Sequence, residues 1–288
     1  MSFEDLPPQV ELVTEAGSRY AKAVISMSRP VFETADTALL DLRYGEDYYQ
    51  KIDIYLPEGM DPIGLPSIVF AHGGSWIAGY KEWMAFMAPT IHQLPAIFVS
   101  ISYRLAPAAK MPAPLKDCAN AFRLAYSEIQ RLGGDLDRIF VGGHSAGAHL
   151  TSLLALQPSL LVERGLPANA IKGCLAVSAP FDLCDNGSGN AFLATSRSNL
   201  LRDEADALSA SPIALVGAGS PPFLITVGQN DFPFIVEQAS AMARALEGAG
   251  IGCEFQDLAD HDHFETNTRM VESGHPWLQA VKRIVDGK

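Results

Sequence analysis

A serine hydroxyl becomes a nucleophile only when a base takes its proton and the chain holds the oxygen in the open. Residues 143–147 read Gly143-His144-Ser145-Ala146-Gly147 and fit G-x-S-x-G. The stretch follows the apolar run RIFV and opens the helix-prone AHLTSLLAL. In that strand-turn-helix setting the pattern places a serine on a strained backbone turn, its hydroxyl near the positive end of a helix. The turn is tight enough that the residues two before and two after the serine must be small. Alone, the motif leaves two readings: a reactive Ser145, or a small polar residue at a strand-to-helix junction.

Acyl chemistry needs three further parts. The first is a set of donors for the negative oxygen of a tetrahedral intermediate. FAHGGSW, residues 70–76, follows a predicted strand. His72-Gly73-Gly74 resembles the H-G-G loop of esterases, in which glycines let backbone N–H groups converge. Gly73, Gly74 and Ala146 are the candidate donors. The other parts are an orienting acid and a base, expected in the chain order serine, acid, histidine. Asp231 follows the predicted strand PPFLITVG. Asp203, Glu204 and Asp206 lack a strand to place them, and Asp257, Asp260 and Asp262 lie too close to the histidine loop to reach around it. Four histidines follow Ser145. His149 is one helical turn on and reads as structural. His275 precedes a terminal helical segment and reads as a surface or capping residue. His261 and His263 both sit in LADHDHFETN after the probable last strand CEFQDLA, with His263 preferred.

The elements that must position these groups are legible as periodicities. SIVFA, AIFVSIS, RIFVGG, CLAVSA and FLITVG are short continuous apolar runs, suited to strands buried on both faces of a parallel sheet. Segments 81–94, 114–132, 146–157 and 234–248 have helical character between them, and a further amphipathic helix is expected near SRYAKAVISMSR. Upstream, TALLDLRYG and YYQKIDIYLP read as strands, with KIDIYL alternating as a half-buried strand does. Strands alternating with helices predict an α/β class with helices on both faces. Residues 182–219 contain no clear strand and predict a lid or pocket wall.

The set HGGSW, SYRLAP, GGHSAGAHL, VSAPFDL, VGQNDFP and DHFE resembles the α/β-hydrolase superfamily. Within it, the set is similar to the kynurenine formamidase (arylformamidase) group, relatives of the hormone-sensitive-lipase-like esterases. The resemblance covers about residues 42–267. It implies an α/β-hydrolase fold: a mostly parallel sheet of about eight strands with helices on both faces, in one domain over 1–288. A small lid would come from 1–36 and 182–219. It implies Ser145 as nucleophile, Asp231 as acid and His263 as base, DHFE deciding between His261 and His263. Gly73, Gly74 and Ala146 would be the oxyanion donors. Trp76, Tyr103 and Phe181, after predicted strand ends, are candidates to line an aromatic substrate pocket. The implied reaction is hydrolysis of a small acyl group, formyl in a formamidase, from an aryl amide or ester. The alternatives are a carboxylesterase for short-chain acyl or aryl esters, and a binding protein that keeps the fold without turnover.

Composition bounds the partners. The 288 residues carry a net charge of -12 with no basic run, which disfavours nucleic acid and anionic membranes. There is no run of about 18 apolar residues and no signal-peptide pattern, so the expectation is a cytoplasmic protein. Cys118, Cys174, Cys184 and Cys253 match no zinc spacing, and His261 with His263 lack a third clustered ligand, so no metal is expected. With no phosphate-binding glycine motif, no cofactor is expected either. The expected partner is a small-molecule aromatic amide or ester, and a homodimer is an admissible assembly.

Overall fold

The five apolar runs without helical period become the centre of one sheet. In the computed structural model, which describes residues 3–12, 14–34, 36–184 and 190–287, eight strands lie in the order β1-β2-β4-β3-β5-β6-β7-β8. They are β1 (Ala38–Arg43), β2 (Lys51–Tyr55), β3 (Ser67–Ala71), β4 (Ile97–Ile101), β5 (Ile139–His144), β6 (Cys174–Val177), β7 (Phe223–Asn230) and β8 (Cys253–Asp262). β1, β2 and β4 pair antiparallel, and the remaining pairings are all parallel. Parallel strands need crossover connections, and the intervening chain supplies helices. These are α1 (Glu15–Thr34), α2 (Ala88–Ile91), α3 (Ala113–Arg131), α4 (Ala146–Ala155), α5 (Pro158–Val162), α6 (Ala191–Leu200), α7 (Pro233–Gly248), α8 (Glu265–Thr268) and α9 (Pro276–Val285).

The sheet is packed on both faces. On one side Ile52, Val69, Val99 and Val141 meet Phe122 of α3, Leu150 and Leu153 of α4 and Leu246 of α7. On the other, Ile68, Phe70, Phe98 and Leu224 meet Tyr20 and Val24 of α1, Trp83, and Trp277 and Val281 of α9. Alternate residues of one strand therefore feed opposite cores, and a buried parallel strand reads as an unbroken apolar run.

Three elements depart from the sequence reading. β2 is buried along its whole length, not half-buried. Its polar positions Lys51 and Asp53 join a buried ion cluster in which Lys81 Nζ lies 3.1 Å from Asp41, 2.9 Å from Asp53 and 2.5 Å from Glu82, while Lys51 Nζ lies 3.0 Å from Asp41. Charge pairing, not solvent, accommodates the alternation. Segment 81–94 is a 3-10 turn over Lys81–Met87 followed by the short α2. Every side chain of 81–87 is buried, so no solvent face remains to give helical amphipathicity, and Pro89 lacks the N–H that a continuous helix would use. β8 runs on through His261 to Asp262, because pairing with β7 resumes at Asn230–Asp262 beyond an irregularity after Gly228. Segment 182–219 has, among its described residues, α6 and two short 3-10 turns and no strand; residues 185–189 lie outside the described residues, as do 1, 2, 13 and 35 of the N-terminal segment.

Candidate active site

Ser145 sits between β5 and α4 with φ 53° and ψ -118°, a conformation that costs a non-glycine residue about 1–3 kcal/mol. Its neighbours show why the motif needs glycine. A Cβ on Gly147 would stand 2.2 Å from the carbonyl oxygen of Ala71, and one on Gly143 would stand 2.5 Å from the N of Ala148. The turn is locked by the Ser145 N–H, which donates to Val177 O of β6 at 2.8 Å. The side chain is left half-buried at the carboxyl edge of the sheet, at the N-terminus of α4.

Asp231 and His263 come to the same edge from the ends of β7 and β8. Ser145 Oγ lies 2.9 Å from His263 Nε2, and His263 Nδ1 lies 2.8 Å from Asp231 Oδ1. A carboxylate only accepts, so Nδ1 carries the proton and Nε2 presents its lone pair to Ser145. Burial alone would raise the Asp231 carboxyl. The charge of His263 and hydrogen bonds from His263 and the Phe232 N–H overcome burial and hold it below the usual carboxylate range. The loop behind His263 is built locally: Asp262 Oδ1 accepts the N–H groups of Phe264 and Glu265, each at 2.8 Å, starting α8. His261 faces away, with Nδ1 2.6 Å from Ala259 O and Nε2 3.2 Å from His275 Nε2. His275 caps α9 by accepting the Trp277 N–H, as a capping residue should, but it is buried and not on the surface.

The H-G-G loop follows β3. Gly74 has φ +118°, and a Cβ there would meet Ala78 O at 2.2 Å. Gly73 lies so close to the elbow that a Cβ would stand 3.4 Å from the Ser145 Cβ. Among the described residues, no hydrogen bond takes the N–H of Gly73 or Gly74, and the Ala146 N–H is in the unpaired first turn of α4. All three candidate donors lie next to Ser145. The aromatic candidates divide. Trp76 lines a cavity at Ser145. Tyr103 lies under the loop: it stacks on His72 at 4.4 Å and donates to His72 O at 2.9 Å. Phe181 is fully buried in the core, and neither it nor Tyr103 lines the two cavities that touch Ser145.

With this geometry in view, the chain can be set beside known proteins. The BD-FAE family matches residues 52–246. The chain belongs to the BD-FAE family. It is 28% identical over 253 residues to kynurenine formamidase of Danio rerio, covering 86% of this chain and 82% of that one. It is 24% identical over 226 residues to isoprenylcysteine alpha-carbonyl methylesterase of Arabidopsis thaliana, covering 73% of this chain and 53% of the other. Among solved structures, an esterase of Pyrobaculum calidifontis superposes with a TM-score of 0.78 at 22% identity, covering 93% and 91% of the two chains. The fold is that of the α/β-hydrolases, and this BD-FAE chain is a hydrolase of the esterase and formamidase group.

Several residues of this BD-FAE site were not placed in it from sequence. His144, the variable position of the motif, is buried with Nε2 2.8 Å from His263 O. Burial and the nearby His263 charge push it down to about 3, so it is a neutral imidazole. His149, read as structural, joins two walls of the site: Nε2 lies 2.7 Å from Ala210 O, and Nδ1 accepts the Trp76 indole N–H at 3.2 Å. Phe192 of α6, Phe232 and Phe264 stand over Ser145 and His263, the Phe232 ring centre 4.8 Å from that of His263. Leu12, Thr14 and Gly17 of the N-terminal segment close the opposite side. The free space beside Ser145 is small, about 30 Å³ on the Tyr20 side and about 10 Å³ on the Trp76 side. At roughly 10–15 Å³ per water, that is room for about two waters and about one. Neither cavity is lined, among the described residues, by a carboxylate, a lysine or an arginine. Among the described residues, no helix is long and apolar enough to cross a membrane.

Proposed function

We propose that the protein hydrolyses a small acyl group, formyl or acetyl in size, from an aryl amide or ester through an acyl-enzyme on Ser145. The observation that carries this reading is the continuous line from Asp231 Oδ1 through His263 to Ser145 Oγ, with contacts of 2.8 and 2.9 Å. His263 Nε2 takes the hydroxyl proton as Oγ attacks the carbonyl carbon. The negative oxygen is held by the N–H groups of Gly73, Gly74 and Ala146. Asp231 keeps the imidazole in the Nδ1–H form and stabilises the imidazolium. That imidazolium gives its proton to the departing nitrogen or oxygen, and the carbon–heteroatom bond breaks. Water, deprotonated by His263, then attacks the acyl carbon and releases the acid and free Ser145.

The small cavities support a small acyl group, and Phe192, Phe232 and Phe264 support an aromatic leaving group. The whole chain reads as one domain in which the described parts of 1–36 and 182–219 wall the pocket. A formamide of an arylamine fits the name of the Danio rerio relative. An uncharged ester is the second reading, favoured by a lining that, among the described residues, is aromatic, aliphatic and hydroxylic and offers no carboxylate, lysine or arginine to an amino-acid headgroup. Steady-state rates on N-formylkynurenine, formanilide and p-nitrophenyl formate, acetate and butyrate test the proposal. We expect kcat/KM to fall by tenfold or more from acetate to butyrate, and Ser145→Ala to lose at least about 10⁴ of the activity. Faster turnover of butyrate than acetate would refute the small acyl site, and an active Ser145→Ala would refute the nucleophile.

A further inference from the structure

We propose that Tyr20, on the N-terminal helix outside the family-matched segment, is a positioning residue for the base: its hydroxyl fixes the His144 tautomer that holds the His263 backbone in place. The inference rests on the reading of His263 as the base.

The proton accounting runs from His263 outward. The His263 carbonyl can only accept, so His144 Nε2, 2.8 Å away, must donate. His144 is neutral, so its Nδ1 is then a bare lone pair in a buried site. The one donor placed against it among the described residues is the Tyr20 hydroxyl, at 3.2 Å. The same hydroxyl lies 2.8 Å from Asn267 Oδ1, which ties Tyr20 to the chain just after α8 begins. Tyr20 is itself buried, its ring 5.3 Å from His144 and 5.2 Å from Phe264. One proton thus faces two buried acceptors, one adjoining the nucleophile and the other in the segment that follows the base.

Removing that proton has a definite chemical outcome. Asn267 Oδ1, the nearer acceptor at 2.8 Å, and His144 Nδ1 at 3.2 Å lose the single proton they share, and an unpaired buried acceptor is costly. His144 can relieve itself by moving its proton to Nδ1, but Nε2 then presents a lone pair to the His263 carbonyl. Attraction becomes repulsion, and among the described residues the Thr266 hydroxyl, 2.8 Å away, is left to hold that carbonyl. The base withdraws from Ser145, while Trp76, Phe192 and Phe232, which wall the cavity on the Trp76 side, are unaltered. A positional error of about 1 Å can cost about 10²-fold in rate, and a partial one correspondingly less.

The test is the rate at which a fluorophosphonate labels Ser145, with kcat and KM on p-nitrophenyl acetate measured in parallel. Tyr20→Phe keeps the ring and removes only the hydroxyl. Val24→Ala, buried on the same helix, loosens helix packing without touching the network. We expect Tyr20→Phe to slow labelling and kcat about tenfold with KM within twofold, and Val24→Ala to lower the melting temperature with labelling within twofold. Unchanged labelling in Tyr20→Phe overturns the inference. Equal slowing in both variants also overturns it, because the effect would then be helix docking and not the hydroxyl. If Ser145 of the unaltered protein takes no label, the nucleophile reading fails and the inference falls with it.

Discussion

Mild acid should unfold this protein before most of its carboxylates titrate, because buried histidines are kept neutral inside it. Burial drives His72 and His149 down to about 4 and His144 to about 3; burial and neighbouring His261 drive His275 to about 4. In the unfolded chain each returns to about 6.5. Between those values the unfolded state binds more protons, so stability rises with pH and is lost as pH falls below 6.5. At pH 5.5, one unit below the unfolded value, each histidine costs about 1.4 kcal/mol, or between about 5 and 6 kcal/mol for the four. Asp53 opposes this. Burial raises its carboxyl to about 6, so the folded state holds that proton more tightly and regains a little under about 1 kcal/mol at the same pH. The net loss of about 4–5 kcal/mol is comparable with the whole stability of many domains. Asp231, held below the usual range, adds acid sensitivity only at lower pH, as its carboxylate protonates. Urea unfolding at pH 7.5, 6.5 and 5.5 reads the effect directly. His149→Gln, which can still donate to Ala210 O and accept from Trp76, should reduce the slope below pH 5.5 by one proton, about 1.4 kcal/mol per unit. A stability that changes by less than about 1 kcal/mol from pH 7.5 to 5.5, or an unaltered slope in His149→Gln, would refute the reasoning.

Three further outcomes follow from the same geometry. Asp231→Asn should lower kcat on the order of 10⁴-fold, since an amide in place of the carboxylate favours the wrong imidazole tautomer; steady-state kinetics on p-nitrophenyl acetate measure it. Gly74→Ala forces a Cβ towards Ala78 O at a φ of +118°, so the loop must shift; we expect about 10²–10³-fold loss of kcat with the fold retained by circular dichroism. Trp76→Phe leaves the buried His149 Nδ1 without its donor and should cost about 1–3 kcal/mol in urea unfolding.

What could be read in advance was what local sterics dictate. Gly143 and Gly147 are required by contacts of one turn, and the apolar runs of β3 to β7 by burial on two faces, so both are written in short windows. Asp231 and His263 were legible because strand ends deliver them to a common edge. The roles of His144, His149 and Tyr20 were not, since each depends on a partner far away in the chain: Tyr20 meets His144 across 124 positions, and His149 meets Trp76 across 73. Neither period nor composition encodes such contacts. Tyr103 and Phe181 went the other way. They follow strand ends as pocket residues do, yet their rings turn into the core, and direction at a strand end is set by packing, not by position.

The distance along the chain between the parts of the site has a consequence for biosynthesis. Tyr20 and Asn267 are 247 residues apart yet share a hydrogen bond. Ser145, the H-G-G loop and most of the sheet can form while residues 253–267 are still being made, but the base and the strand that carries it cannot. Contacts of such separation are made late, after the local ones. On the proposed mechanism, the nascent protein therefore holds a serine without its base, and hydrolytic activity waits for β8 to join the sheet.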